Sequence, residues 1–298
     1  VLFRVLRGEG FVRQEKNEVI LISVLFGLSS ALSWGGGDFV GGLASRKTGA
    51  YRAVMYAEIF GLLLLLGALA IWGEPMLGWQ NLLLAGAAGL IGSTGLLVLY
   101  QAMITGQMSI ATPVSALLAA VLPVVVGAFL EGLPALAKIA GFVLALAAVW
   151  LVAQEAGGKT QLRRLADLRL PLFAGLCFGT YFIIMHEASG SALIWPMVAS
   201  RTGGALVLLA FMLLRRESWG MAVNVWPLVA VNTVLDIGGN AFYILAGQAG
   251  RMDVAAVLGS LYPGATVILA WLILKEKINL LQKSGILIAL VAIALMTL

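Results

Sequence analysis

Cysteine, histidine and charge are all scarce in this chain of 298 residues. The single cysteine, Cys177, excludes an internal disulfide and a cysteine-rich metal site. The single histidine, His186, excludes a multi-histidine metal site, and no metal or other cofactor is expected. Charged residues make up 11% of the chain, against roughly 25% in soluble domains. That is too little polar surface for a soluble globular enzyme, a disordered protein or a nucleic-acid-binding module. Gly35-Gly36-Gly37 lacks a following Gly-Lys-Ser/Thr, so it is not a nucleotide loop. A cleavable signal is not expected either: Arg4, Arg7, Arg13 and Lys16 alternate with Glu9, Glu15 and Glu18, and the apolar segment that follows is too long for a signal core.

What is present is apolar surface. Hydrophobic residues are 61% of the chain and the mean hydropathy is +1.01. At about 20 apolar residues per bilayer crossing, this suffices for nine or ten spans and little else. Ten segments can be bracketed: Val19–Leu43, Tyr51–Trp72, Asn81–Ile104, Met108–Leu130, Pro134–Gln154, Leu170–Ala188, Ala192–Leu214, Trp226–Gln248, Met252–Leu274 and Asn279–Leu298. Short turns such as Arg46-Lys47-Thr48-Gly49, Gly73-Glu74-Pro75 and Arg215-Arg216-Glu217 separate them. Segments of this length must be helices, because backbone polar groups in hydrocarbon have to pair within their own segment. The alternating ten-residue pattern of a membrane barrel is absent. The formal charge of +5 fits basic loops against an anionic leaflet. The partners expected are a lipid bilayer and a small-molecule substrate, not nucleic acid.

The longest polar stretch, residues 155–169, divides the chain. Residues 1–18 read as a polar tail, 19–154 as one five-helix unit and 170–298 as another. A shift of 144 residues lays Ala102, Gly106, Met108, Ala111, Leu117 and Leu130 on Ala246, Gly250, Met252, Ala255, Leu261 and Leu274. The same shift lays Leu136, Gly141, Ala145, Leu146, Ala148 and Leu151 on Leu280, Gly285, Ala289, Leu290, Ala292 and Leu295. Repeats with an odd number of helices insert in opposite orientations. The expected fold is therefore an all-α membrane protein whose ten transmembrane helices form two inverted five-helix repeats, with substrate bound near the midplane between them. Six basic residues fall on the side of the termini and twelve on the other, which puts the termini outside. Val1 fits a literally translated GTG start, so a bacterial or archaeal plasma membrane is expected, with the protein a monomer or weak homodimer.

The second half closes with Gly259-Ser260-Leu261-Tyr262-Pro263, an apolar helix, Lys275-Glu276-Lys277 and Gly285. The chain also carries Leu32-Ser33-Trp34-Gly35 in the first helix, Phe178-Gly179 in the sixth and Arg201 in the seventh. Together these resemble the EamA pattern of the drug/metabolite transporter superfamily, over all ten helices. The first half departs from it: Gly132 follows Glu131, and the second helix has Glu58 where an arginine is expected. The resemblance implies a secondary transporter of amino acids, drugs or metabolites with its termini in the cytoplasm, opposite to the charge count.

An ionisable group at the bilayer centre costs roughly 2.5–3.5 kcal/mol on insertion scales. Asp38, Glu58, Arg201 and Asp236 lie within spans. Each is either a structural ion pair, a snorkelling residue, or a group that gates or couples transport to protons. Glu58 and Arg201 stand 143 residues apart, at matching positions of the two halves. Asn232, Asp236, Asn240 and Tyr243 fall on one face of the eighth helix, and Ser30, Trp34 and Asp38 repeat that spacing in the first. Such faces point inward. Ser93 and Tyr100 of the third helix, Phe178 and Tyr181 of the sixth and Ser260 and Tyr262 of the ninth extend the set. The expected binding residues are thus Trp34, Asp38, Ser93, Tyr100, Tyr181, Asn232, Asp236, Asn240, Tyr243 and Tyr262. Glycine runs beside Asp38 and Asp236 serve either close helix packing or local unwinding that frees carbonyls. His186-Glu187 reads as interfacial.

Three acids and one arginine favour a cationic, zwitterionic or amphipathic solute, and a carboxylate in the chamber is placed to exchange a proton for it. The alternative, a membrane-embedded lipid-modifying enzyme, lacks an Asp-x-x-x-Asp pair, a second histidine and a polar catalytic rim.

Overall fold

The computed structural model describes residues 8–104, 108–130, 132–152, 169–274 and 279–296, and in these it is all helical. The central polar loop (residues 153–168) and the Lys275-Glu276-Lys277 turn lie outside the described residues. The first half comprises α1 (Gly8–Thr48), α2 (Ala50–Trp72), α3 (Trp79–Ile104), α4 (Met108–Leu130) and α5 (Leu136–Val152). The second comprises α6 (Arg169–Ser189), α7 (Ile194–Arg215), α8 (Trp226–Ala249), α9 (Met252–Gly259), α10 (Tyr262–Leu274) and α11 (Leu280–Met296). α1, α2, α3, α6, α7 and α8 are long and apolar enough to cross a membrane; segments of α4, α5 and α11 are shorter apolar helices.

Two boundaries differ from the sequence expectation. α1 begins at Gly8, inside the stretch read as a polar tail. Nothing there stops a helix: the segment after Gly10 holds neither proline nor glycine up to Gly27. The ninth span is two helices, not one. Pro263 lacks the N–H that a continuous helix would donate to the Gly259 carbonyl. The chain turns there instead, with Ser260 N–H donating to Ala256 O at 2.9 Å and Leu261 N–H to Leu258 O at 3.1 Å. The equivalent α4 runs unbroken through its prolines, Pro113 and Pro123.

Helices of the two halves interleave. α1 packs on α8 and α3 on α6; α2 packs on α7, and α5 on α11. α4 rests against α6 and α9, α1 against α9 and α10. The distribution of residues inverts that of a soluble protein. On α2, Leu63 is 61% exposed while Glu58 is 4% exposed, so leucine faces the surroundings and the acid faces in. In lipid that arrangement is the stable one.

The glycine runs serve packing rather than unwinding, for α1 and α8 remain continuous helices through Gly35-Gly36-Gly37 and Gly238-Gly239. A Cβ on Gly239 would enter the indole of Trp34, and one on Gly35 would come within 2.5 Å of the Tyr262 carbonyl and the Ala265 methyl. The tightest crossing is α3 on α7, where a Cβ on Gly89 would strike the Ser200 carbonyl and one on Gly203 the Gly86 carbonyl. Neither carbonyl can retreat without shifting its helix.

Gly89→Ala and Gly203→Ala are each expected to destabilise the protein by about 1–3 kcal/mol, the usual cost of overpacking. Gly67→Ala, whose added methyl meets nothing within 4 Å, is expected to cost nothing. Thermal unfolding of the detergent-purified variants separates the two cases.

Candidate functional site

Arg201, 6% exposed, sits one third of the way along α7 and reaches two carboxylates. Its Nη1 donates to Glu58 Oε2 of α2 at 3.1 Å, and its Nη2 donates to Asp236 Oδ2 of α8. Polar neighbours extend the network. Ser93 Oγ of α3 donates to Glu58 Oε1 at 2.6 Å. Asn240 Nδ2, one turn beyond Asp236, donates to the Asp236 carbonyl at 2.7 Å and to its Oδ2 at 3.3 Å. Tyr181 of α6 donates its hydroxyl to Asn240 Oδ1 at 2.5 Å. One chain of hydrogen bonds thus joins five helices, two from the first half and three from the second. Glycines make room for it: a Cβ on Gly61 would lie 3.1 Å from Arg201 Nε, and one on Gly204 would lie 3.0 Å from Glu58 Oε1.

The network forms one wall of an internal cavity of about 100 Å³. Asp38, 9% exposed, lies on another wall, contributed by α1. Trp34, Phe178, Phe182 and Tyr262 supply aromatic faces, and Met197, Leu96 and Ala119 the apolar remainder. The break between α9 and α10 places Tyr262 here, with its hydroxyl 3.3 Å from Ser115 Oγ of α4. Trp34 and Phe182 stack with ring centroids 5.3 Å apart. The cavity therefore joins charge to aromatic surface, three carboxylates against one guanidinium.

Of the residues expected from sequence, Trp34, Asp38, Glu58, Ser93, Tyr181, Arg201, Asp236, Asn240 and Tyr262 line this cavity. Tyr100, Asn232 and Tyr243 do not; they stand behind its wall. Tyr243 donates its hydroxyl to the Phe182 carbonyl at 2.8 Å and stacks on that ring, so it supports the aromatic wall from behind. Tyr100 and Asn232 converge on Gly41, where a Cβ would come within 2.9 Å of Asn232 Oδ1 and would collide with the Tyr100 hydroxyl. Asn232 braces α1 one turn beyond Asp38, and Tyr100 also hydrogen-bonds the Asp38 side chain.

Sequence reading passed over Met197, Ser200 and Phe182 on the cavity wall. Met197 lies one helical turn before Arg201, a spacing that marks it for the same face. It also passed over Asp253, fully buried at the start of α9, which accepts from Arg251 Nη2 at 2.7 Å while Arg251 Nη2 donates to the Gly132 carbonyl at 2.9 Å. That cluster ties α9 to the α4–α5 turn, away from the cavity. Among the described residues, no group of three or more His, Cys, Asp or Glu side chains is disposed to hold a metal.

Comparison with known proteins agrees with this picture. Residues 168–298 match the model of the EamA-like transporter family, so the resemblance read from the motifs holds over the second half of the chain. No curated protein matches significantly. A crystal structure of a protein with 17% sequence identity shares the fold with a TM-score of 0.76, covering 93% of this chain and 98% of that one.

Replacing Arg201 by methionine leaves Glu58 and Asp236 buried without their counter-charge, and is expected to destabilise the protein by about 3–5 kcal/mol. Adding Glu58→Met in the same chain should recover part of that loss. A double-mutant cycle on the unfolding free energies measures the coupling; additive effects would contradict it.

Proposed function

We propose that this multi-pass membrane protein is a secondary active transporter of a small cationic, zwitterionic or amphipathic metabolite, working by alternating access in a bacterial or archaeal cell membrane. The observation that carries the proposal is the cavity on which α1, α2, α3, α4, α6, α7, α8 and α10 converge, with charged side chains from both halves of the chain.

Helix pairing supports two inverted repeats of five. Exchanging the halves turns the α1–α8 contact into α6–α3, and maps α2–α7, α4–α9 and α5–α11 onto themselves. A dyad relating the halves would give this pairing, and an odd number of spans in each half would put that dyad in the membrane plane. Five helices of each half then rock about the cavity, which belongs to neither half alone.

The cavity's chemistry supports the substrate class. Glu58 is committed to Arg201 and Ser93. Asp38 and the partly open face of Asp236 remain to receive a cationic group, and Trp34 and Tyr262 flank the same space with aromatic faces suited to it. A volume near 100 Å³ suits a compact solute. Proton exchange enters through the same acids: a cation and a proton compete for Asp38 or Asp236, so one leaves as the other arrives.

Binding of a substrate raises the melting temperature by mass action. In a thermal-shift screen of metabolites on the purified protein, amines and amino acids are expected to stabilise it more at pH 8 than at pH 6, and Asp38→Asn or Asp236→Asn to abolish the shift. In proteoliposomes the same solute should move in response to an imposed pH gradient. Flux indifferent to that gradient in both wild type and Asp236→Asn would remove proton coupling from the proposal.

A further inference from the structure

The two ends of the helical bundle are closed differently, although the residues for closing them alike are present. At the end carrying Trp72 and Trp79, the α2–α3 turn is fastened to the start of α7. Glu74 Oε1 accepts the Leu193 N–H at 2.7 Å, and its Oε2 accepts those of Ile194 at 2.9 Å and Trp195 at 2.8 Å. Trp195 Nε1 adds a bond to the Glu74 carbonyl at 3.0 Å. A carboxylate on the free N–H groups of a helix N-terminus is favourable through both hydrogen bonding and the helix dipole.

The residue 143 positions after Glu74 is Glu217. The same shift carries Gly73 to Arg216, and these two share an unusual backbone: each caps its helix in the left-handed region, with φ 65° and φ 51°. It also relates Glu58 to Arg201. By this correspondence Glu217 belongs on the N-terminus of α2, which begins at Ala50 as α7 begins at Ile194. It is not there. The N-cap residue of α2 is Gly49, which has no side chain with which to cap the helix. Instead a polar gap of about 550 Å³ opens at that end, lined by Thr48, Gly49, Ala50, Arg52, Arg215 and Glu217 among others.

Three features of the gap suit it to the carboxylate of Glu217, which lines it. The start of α2, which Gly49 cannot cap with a side chain, lies on it. Thr48, a polar residue 4% exposed, lines the gap. Arg52 stands beside the helix start, its Nη2 at 3.7 Å from a Cβ placed on Gly49, where the dipole disfavours a cation unless an anion joins it. Arg52 already holds the α7–α8 turn through Ser218 Oγ at 3.1 Å and the Gly220 carbonyl at 2.7 Å. The turn bearing Glu217 is therefore tethered next to its seat.

We propose that Glu74 and Glu217 are alternating latches: in the state seen here Glu74 holds one end shut and Glu217 is released, and in the opposite state Glu217 caps α2 while Glu74 leaves α7. The proposal rests on the alternating-access reading above and names the contacts that end each half-cycle.

The test uses the full chain in lipid nanodiscs, with Cys177→Ala to remove the native thiol. Nitroxide labels are placed at Gly78→Cys with Ser191→Cys for one end, and at Lys47→Cys with Gly220→Cys for the other. Pulsed electron spin resonance reads the two distances. In Glu74→Ala the first distance should lengthen and the second shorten, with the population ratio moving by about tenfold or more for the loss of three charge-assisted bonds. In Glu217→Ala, which removes no contact from the present state and should fold unimpaired, the ratio should move the other way. Latches are overturned if either variant leaves both distances at their wild-type populations, or if Glu74→Ala opens one end without closing the other. A wild type with two populations and gradient-driven flux, unaffected by either variant, would sink the latches alone. A wild type with one fixed arrangement and no flux of any solute would sink alternating access as well.

Discussion

The guanidinium of Arg201, held between Glu58 and Asp236 in the middle of an apolar bundle, constrains everything around it. Each of the three groups left alone in hydrocarbon would cost roughly 2.5–3.5 kcal/mol or more. Together they are tolerable only while their hydrogen-bonding positions are filled, which requires Ser93, Asn240 and Tyr181, and hence α3 and α6 as well as α2, α7 and α8. The backbones have to approach closely to let these short side chains meet, and Gly61, Gly89, Gly203 and Gly204 allow that approach. A buried ion pair rarely stabilises a protein more than apolar residues of the same volume would. Its place on a cavity wall therefore ties it to what the cavity does.

The cavity exists because the packing around this network is uneven. α1 and α8 are pressed together by glycine, with Gly239 against the Trp34 ring. Trp34 has no room to turn away, so its face is fixed toward the cavity beside Phe182. On the opposite wall the chain breaks at Leu261, and the break, not a continuous helix face, aims Tyr262 inward. Rigid aromatic surface on one side and a freed turn on the other leave a small polar space between them.

Much of this was legible in the sequence. Ionisable residues are so expensive in lipid that the four within spans had to face inward, and Glu58, Arg201, Asp236 and Asp38 all line one cavity. Helical spacing likewise placed Asn240 beside Asp236. The same spacing brought in Asn232 and Tyr243, which share that face but are covered by α1 and by Phe182, so that neither lines the cavity: periodicity gives direction and not what stands in front. Proline at position 263 was visible, yet whether a proline kinks or breaks a helix depends on tertiary support, as Pro123 within unbroken α4 shows. Glu74 was visible only as turn punctuation, because its partners are backbone N–H groups 119 to 121 residues away, and a backbone N–H carries no sequence signature.

The charges that differ between the two proposed repeats, and those that do not, follow from where they sit relative to the dyad. A residue near the axis meets its own counterpart from the other repeat. Two glutamates there would place like charges in contact, and so would two arginines; either is untenable in a low-dielectric interior. Glu58 and Arg201 are such counterparts, 3.1 Å apart, and they have opposite signs. Glu74 and Glu217 are counterparts too, but they occur at opposite ends of the bundle and never meet. There the same residue in both repeats is compatible with the fold, because the two carboxylates are kept apart and neither meets a like charge from its counterpart. The proposed symmetry thus permits identity at the periphery and requires difference at the centre. That difference also leaves Asp236 on one side only, so the cavity is chemically polar even though the helices around it are arranged in matching pairs.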